Sequence, residues 1–172
     1  MIPTRFLCAV LLATSSAACS SKWVRVGEPD RFLSFEVPAD WKIQRLDQGK
    51  RRYRKAEKPE GADMFLAVED TRPPIDPAKF LRSVLKEVEF LPGEGQWTTR
   101  TETRPGHESP SVNVFMEGAF TILGSTWQVR SRSWILDNAN VAVVATYAGK
   151  SRTEEGDAMA TRMIEAAGPG KN

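Results

Sequence analysis

The sequence predicts an α+β fold in which helices pack on one twisted antiparallel sheet. Short alternating strands come first, an amphipathic helical segment follows, and a long run of strands joined by two-residue turns leads to a second helical segment. This order of elements is typical of an α+β sandwich.

The composition bounds the domain count and excludes several classes of site. The chain has 172 residues, of which 27% are charged and 41% hydrophobic, and these values suit one globular domain. A formal net charge of +2 argues against a nucleic-acid binder. Two cysteines and one histidine leave no Cys/His zinc site and no CxxC redox motif, so we expect neither a metal nor a cofactor.

Residues 1–18 have the pattern of a secretory signal peptide. Arg5 is a positive charge near the start, and residues 6–18 are uncharged. This stretch of 13 residues is too short to span a bilayer but fits the apolar region of a signal peptide. The stretch ends with three small residues, Ser16, Ala17 and Ala18.

The next residue, Cys19, makes this segment similar to the lipobox of bacterial lipoproteins. Ala17 and Ala18 occupy the two small positions of that motif, while Ser16 stands where Leu is usual. The resemblance implies cleavage before Cys19 and lipidation of this cysteine with two or three acyl chains such as palmitate. It implies a cell-envelope protein anchored to a membrane and facing the periplasm, and Ser20 in place of Asp favours the outer membrane. Simple signal-peptidase cleavage at Ala18 remains the alternative.

Cleavage before Cys19 divides the chain into four parts. Residues 1–18 are the signal peptide, 19–31 the lipidated cysteine and a tether, 32–168 one folded domain, and 169–172 a tail. Within the tether, Trp23, Val24 and Val26 could add an edge strand or rest on the membrane interface. A Cys8–Cys19 disulfide is excluded because cleavage removes Cys8.

The first half of the domain reads as strands followed by a helix. Residues 33–37 alternate as a half-buried strand that Pro38 ends, and Trp41 begins a second extended piece. Residues 50–58 are basic and poor in apolar side chains, which predicts an edge strand or a hairpin arm. Residues 64–68 are apolar on both faces, which predicts a central strand.

A helix is predicted to begin with Asp76 as its cap and Pro77 as its first residue. Apolar side chains then recur at helical spacing until the LPGEG segment ends the helix: Phe80, Leu81, Val84, Leu85 and Val88.

The second half reads as a meander closed by a helix. Residues 96–104 form a Thr-rich strand, a loop follows, and residues 112–122, 126–136 and 140–148 are consecutive strands. Their predicted turns are Gly124-Ser125 and Asp137-Asn138.

The last helix is predicted to begin at a capping box made by Ser151 and Glu154. This helix presents Met159, Met163 and Ile164 on one face, and Gly168 and Pro169 are predicted to end it.

The segment FLSFEVPADW resembles the opening strand of the PsbP-like and DcrB-like group. Leu33, Phe35, Pro38 and Trp41 fill the pattern, with Leu where an aromatic residue is usual. The resemblance covers residues 24–168 and implies an α/β/α sandwich without a common catalytic site. It also implies an accessory, assembly or chaperone-like role.

Two features carry the candidate chemistry. Residues 42–58 contain eight basic and two acidic side chains, and this arm could contact anionic lipid headgroups or merely protect a sheet edge. The side chains assigned to such a contact are Lys50, Arg51, Arg52, Arg54 and Lys55. The second feature is His107, the single histidine, which could serve a hydrolase only with partners from distant segments.

Two further groups have structural explanations. Glu154, Glu155 and Asp157 suit the first turn of a helix. Trp127 and Trp134 are expected on opposite faces of one strand, one under a helix and the other in a groove or facing a partner.

These observations predict a membrane-anchored, non-catalytic accessory or assembly factor that binds another envelope protein and no nucleic acid. The alternative is a carrier with a lipid or small-molecule pocket between sheet and helix. A hydrolase centred on His107 is the remote alternative.

Overall fold

The computed structural model describes residues 22–27, 33–61, 63–87, 97–103, 112–122 and 124–169. Their elements are, in chain order, β1 Trp23–Val26, β2 Leu33–Pro38, β3 Lys42–Gln48, β4 Arg51–Glu57, β5 Met64–Asp70, α1 Pro77–Glu87, β6 Thr98–Thr103, β7 Val112–Ile122, β8 Ser125–Leu136, β9 Ala139–Ala148, α2 Glu154–Glu165 and β10 Gly168–Pro169. This content confirms the predicted α+β class.

Two antiparallel sheets organise these strands. The larger sheet has seven strands in the order β3-β4-β5-β9-β8-β7-β6, and the smaller has the order β1-β2-β10. The smaller sheet packs on one face of the larger one through β2. A second sheet was not predicted, because the alternation of a strand shows which side chains are buried but not which strand it pairs with.

Strand alternation divides the core into two apolar clusters, one on each face of the large sheet. On β5, Phe65 and Ala67 belong to the cluster that contains α2 and β2. Leu66 and Val68 belong to the other cluster, together with the buried side of α1. We name these two sides the α2 face and the α1 face. Both faces of β5 are covered, as its continuous apolar run predicted.

Several local predictions are confirmed. Asp76 caps α1, since its carboxylate accepts a hydrogen bond from the Lys79 backbone N–H at 2.9 Å. Asp137 and Asn138 have φ of 47° and 64° and form the two-residue turn between β8 and β9. Trp127 and Trp134 lie on opposite faces. Val88 and the LPGEG segment lie outside the described residues.

The predicted capping box at Ser151 is wrong. Helix α2 begins at Glu154, and its cap is Thr153, whose hydroxyl accepts from the Gly156 backbone N–H at 3.1 Å. A capping box needs a Glu or Gln side chain at the position that Gly156 occupies. Glycine stands there because a Cβ would come within 2.6 Å of the Tyr147 ring.

Two turn predictions are also corrected. Ser125 already pairs with Ile122 as the first residue of β8, while Gly124 takes the left-handed φ of 79°, so the turn lies one residue earlier than predicted. Gly168 and Pro169, which were predicted to end α2, have a different structure. They form the short strand β10 against β2, and α2 ends before it with Ala166 as its cap.

The boundary placed at residue 32 is wrong for the segment that precedes it. Trp23–Val26 is strand β1, paired with β2 along its whole length, so these residues belong to the domain and not to a tether. The Arg162 guanidinium lies 4.1 Å from the centre of the Trp23 ring and holds it against α2. The predicted edge strand is therefore confirmed for this segment. At the other end, Pro169 belongs to β10 and not to a tail.

Candidate functional site

The residues assigned to lipidation and cleavage lie outside the described residues, and so does His107. The residues assigned to lipidation and cleavage are Cys19, Ser16, Ala17 and Ala18. The described chain begins at Lys22, whose carbonyl accepts a hydrogen bond from the Ala39 N–H at 2.7 Å. Because β1 and β2 cover the α2 face, the chain enters the domain on that side of the large sheet.

The basic arm is a hairpin made by β3 and β4, as one of the two predictions proposed. Strand β4 pairs with both β3 and β5, so the prediction of an edge strand is wrong for β4, and the sheet edge is β3. Gly49 and Lys50 form the connecting turn, and Gly49 supplies a φ of 61° at its first position, as a type II′ turn requires.

Strand alternation splits the five predicted contact residues between two faces. Arg52 and Arg54 share the α2 face with Ala56, whereas Arg51 and Lys55 share the α1 face with Tyr53. Lys50 lies in the turn. The five side chains therefore do not form one surface, and only Arg52 and Arg54 lie on the side where the chain enters.

A groove lies on the α1 face beside this hairpin. Its volume is about 730 Å³, and it runs between the hairpin and the end of α1. The side chains that line it are Leu46, Gln48, Lys50, Arg51, Tyr53, Arg72 and Glu87. Leu46 is 54% exposed there, although an apolar side chain of this size is usually buried.

Buried Asp70 fixes the cations of the groove. Its carboxylate accepts from the Arg51 Nε at 2.7 Å and from the Arg72 Nε at 2.9 Å, and Arg51 also pairs with Glu87. Burial would raise the pKa of Asp70, but the hydrogen bonds from Arg72 and Arg51 hold that pKa well below its ordinary value. Asp70 is thus ionised at neutral pH, and the groove presents oriented guanidinium groups.

Glu69, the neighbour of Asp70, points to the α2 face and has a different environment. Burial raises its pKa to about 7, against the opposing effect of Arg52 and Arg54. Its Oε2 atom is buried and accepts no hydrogen bond from the part of the chain that the structure describes. Glu69 borders an apolar cavity of about 20 Å³ lined by Leu33, Phe35 and other side chains. That volume has room for one water, so this cavity is not the lipid pocket that a carrier would need.

Strand β3 forms one end of the described large sheet. All seven of its residues are exposed, and among the described strands it pairs with β4 alone. Gln48 and Arg51 flank the two-residue turn and form a hydrogen-bonded pair. From there along the hairpin, non-hydrogen-bonded and hydrogen-bonded pairs of β3 and β4 alternate. Ile43, Arg45 and Asp47 consequently direct their backbone N–H and C=O groups to the open side.

Of the two tryptophans, Trp134 packs in the apolar cluster that contains α2, and Trp127 lies on the α1 face outside the groove. Trp134 is fully buried on the α2 face, and the Arg132 guanidinium lies 4.3 Å from its ring centre. Trp127 is half-buried on the α1 face and stacks on Phe120 with ring centres 6.2 Å apart. Neither lines the groove described above.

Sequence reasoning found the hairpin and its cations but missed the groove. Leu46 carried a usable signal, because it is a large apolar residue between the charged residues Arg45 and Asp47 in a mostly polar strand. Arg72 and Glu87 carried none, since they reach the hairpin from separate segments through the fold.

Two absences within the described residues concern metal sites and membrane spans. Within those ranges, His, Cys, Asp and Glu side chains form no group of three that could hold a metal ion. Neither of the two described helices is long and apolar enough to cross a membrane.

Comparison with known proteins finds similarity among solved structures. No protein-family model matches the chain, and no curated protein matches it. A solved structure that resembles it is that of LpqN, described as involved in cell envelope biogenesis of Mycobacterium tuberculosis. The two are 17% identical, the match covers 86% of this chain and 90% of LpqN, and the TM-score is 0.45. At these values the similarity assigns no function, and the resemblance to the PsbP-like and DcrB-like group stays a prediction.

Proposed function

We propose that this protein is a non-catalytic lipoprotein of the bacterial cell envelope that binds another envelope protein through the groove on its α1 face. The observation that carries the proposal is the groove itself, which combines exposed Leu46 with guanidinium groups held in place by buried Asp70. Fixed cations beside an exposed apolar side chain suit recognition of a protein surface, where charge gives specificity and apolar contact gives affinity.

The anchor position supports this orientation. Three residue steps separate Cys19 from Lys22, and they span at most about 10 Å of extended chain. Acyl chains on Cys19 would therefore hold the domain next to the bilayer, with its α2 face, where the chain enters, toward the membrane. The groove then faces away from the membrane toward the periplasm, and Ser20 favours the outer membrane as the site of attachment.

The lining predicts an acidic partner segment. Lys50, Arg51 and Arg72 contribute three positive charges, and Glu87 and the ionised Asp70 contribute two negative charges, which leaves a net charge of +1 with Lys50 outside the Asp70 ion pairs. An extended or helical segment with carboxylates next to an apolar side chain would satisfy the cations and cover Leu46. Charge attraction of this kind mainly accelerates association and weakens with added salt.

Site-specific photo-crosslinking in intact cells tests the groove. Glu87 is replaced by a photo-crosslinking amino acid, and Glu154, an exposed glutamate of α2, is the matched control position. We expect one envelope protein to be crosslinked at position 87 through an acidic peptide, and not at position 154. The crosslink should be lost in Lys50→Glu and kept in Lys150→Glu. Equal crosslinking at both positions, or no effect of Lys50→Glu, would contradict the proposal.

Metabolic labelling tests the anchor separately. Cells that express the full chain are supplied with labelled palmitate, and Cys19→Ala is the comparison. We expect label in the unchanged protein, none in Cys19→Ala, and release of the variant from the membrane fraction. An unchanged protein without label would refute the anchor and leave the groove to be judged by its crosslink.

A further inference from the structure

We propose that strand β3 pairs antiparallel with β3 of a second copy of this chain, so that two large sheets join into one. The inference rests on the register and charges of β3 and needs neither the anchor nor the partner of the groove. The seven exposed residues of β3 provide a full strand length of backbone groups for pairing.

Only one register of this pairing is complementary. When Leu46 lies opposite Leu46 of the second copy, Arg45 lies opposite Asp47 and Gln44 opposite Gln48, each twice by symmetry. A shift of two residues in one direction would place Arg45 against Arg45, and a shift in the other direction Asp47 against Asp47. Like charges directly opposite each other disfavour a pair, so the same side chains select one register and oppose its neighbours.

The backbone pattern agrees with that register. Arg45 and Asp47 direct their N–H and C=O groups to the open side, so their pair is hydrogen-bonded, and the Leu46 pair is not. Non-hydrogen-bonded pairs have the closer side chains, which suits an apolar contact between two leucines. Asp47 already accepts from Arg54 at 2.8 Å, and a carboxylate accepts more than one donor, so Arg45 of the second copy would complete a three-membered ion network.

The symmetry of the pair places the two grooves together. A two-fold axis perpendicular to the sheet keeps both α2 faces on one side and both α1 faces on the other. Leu46 lines the groove, so the leucine contact would join two grooves across the axis. The two chain entries would lie on the opposite side, where both could attach to one membrane. A strand edge of seven residues buries less surface than a standard interface of about 1,200–2,000 Å², so we expect a weak dimer that forms more readily when the local concentration is high.

Disulfide trapping in intact cells tests the register. In the proposed pair the two Leu46 Cα atoms are about 4.5 Å apart, within the range of about 4.4–6.8 Å that a disulfide spans. We expect Leu46→Cys to give a disulfide-linked dimer of this chain under a mild oxidant. Gln44→Cys and Gln48→Cys, expressed singly, should stay at the background of the unchanged protein. Expressed together, these two variants should crosslink, because positions 44 and 48 face each other.

Charge exchange tests the specificity. In the Leu46→Cys background, Arg45→Glu should lose the dimer, since the introduced carboxylate would then face Asp47 of the second copy. Adding Asp47→Arg to Arg45→Glu should restore the dimer by reversing both charges. The thermal unfolding midpoint of each variant verifies that these exposed substitutions leave the fold intact. Three results would overturn the inference. The first is a Leu46→Cys crosslink no stronger than that of the single controls, and the second is a crosslink to a different protein. The third is a dimer that persists when Arg45→Glu is added.

Discussion

The centre and the β3 edge of the large sheet differ in what their side chains contact. Strand β5 lies between β4 and β9 with Phe65, Leu66, Ala67 and Val68 buried, whereas β3 exposes every residue. Both regions share one continuous ladder of strands, so their backbone structure is similar. The difference indicates that β5 carries stability, while β3 is open to contacts with other molecules.

The largest expected effect of a single substitution is at the centre. Phe65 is fully buried and its ring centre is 4.8 Å from that of Phe35, so Phe65→Ala removes contacts between the two sheets. We expect a loss of about 3–5 kcal/mol in the free energy of unfolding. Leu46→Ala on β3 should change it by no more than about 0.5 kcal/mol. Urea denaturation of both variants measures the contrast, and similar losses would contradict the division between centre and edge.

The second largest expected loss in the free energy of unfolding is at Asp70, which lies at the end of β5 beside the hairpin. Asp70→Ala leaves Arg51 without its buried partner, and we expect a loss of about 2–3 kcal/mol, less than for a fully buried pair because Arg72 is exposed. Asp47→Ala, which removes an exposed ion pair on β3, should lower the free energy of unfolding much less than Asp70→Ala.

The pH dependence of Asp70 adds a second readout. Its pKa is lowered in the folded protein, so its stabilising contribution is present above the ordinary pKa of an aspartate and is lost as the pH falls. Acid unfolding should therefore be less steep in Asp70→Ala than in the unchanged protein. If stability falls equally with decreasing pH in both proteins, this role for Asp70 is excluded.

The last prediction is a pH dependence of opposite sign at Glu69. Its pKa rises from 4.5 to about 7 on folding, so the folded state binds more protons than the unfolded state between these values. Stability should decrease as the pH rises through this window, and Glu69→Gln, which stays neutral, should remove that decrease. Urea midpoints at both ends of the window measure it. A midpoint that falls equally in Glu69→Gln would assign the effect to another group.

The fold was largely predictable because its signals are local. The alternation of β2, the apolar run of β5, the cap at Asp76 and the turn at Asp137-Asn138 each depend on a few neighbouring residues. Strand pairing is not local, so the second sheet and the interior position of β4 were not predicted. The cap of α2 was misassigned because two hydroxyl residues precede the helix and only the packing of Gly156 on Tyr147 decides between them.

The candidate site was predictable only in part, for the same reason. The basic composition of residues 42–58 located the hairpin, but composition does not show that successive side chains alternate between two faces. The groove needs Arg72 and Glu87 from other segments, and Asp70 to hold the guanidinium groups in position. Such a convergence depends on the tertiary structure.

The small sheet has a consequence for folding kinetics. Strand β2 is flanked by β1, its neighbour in the chain, and by β10, and the Ser34 hydroxyl lies 3.3 Å from the Pro169 carbonyl oxygen across 135 sequence positions. Contacts of such long sequence separation form late, because the intervening chain must first be ordered. The small sheet is therefore complete only once Gly168 and Pro169 have paired with β2.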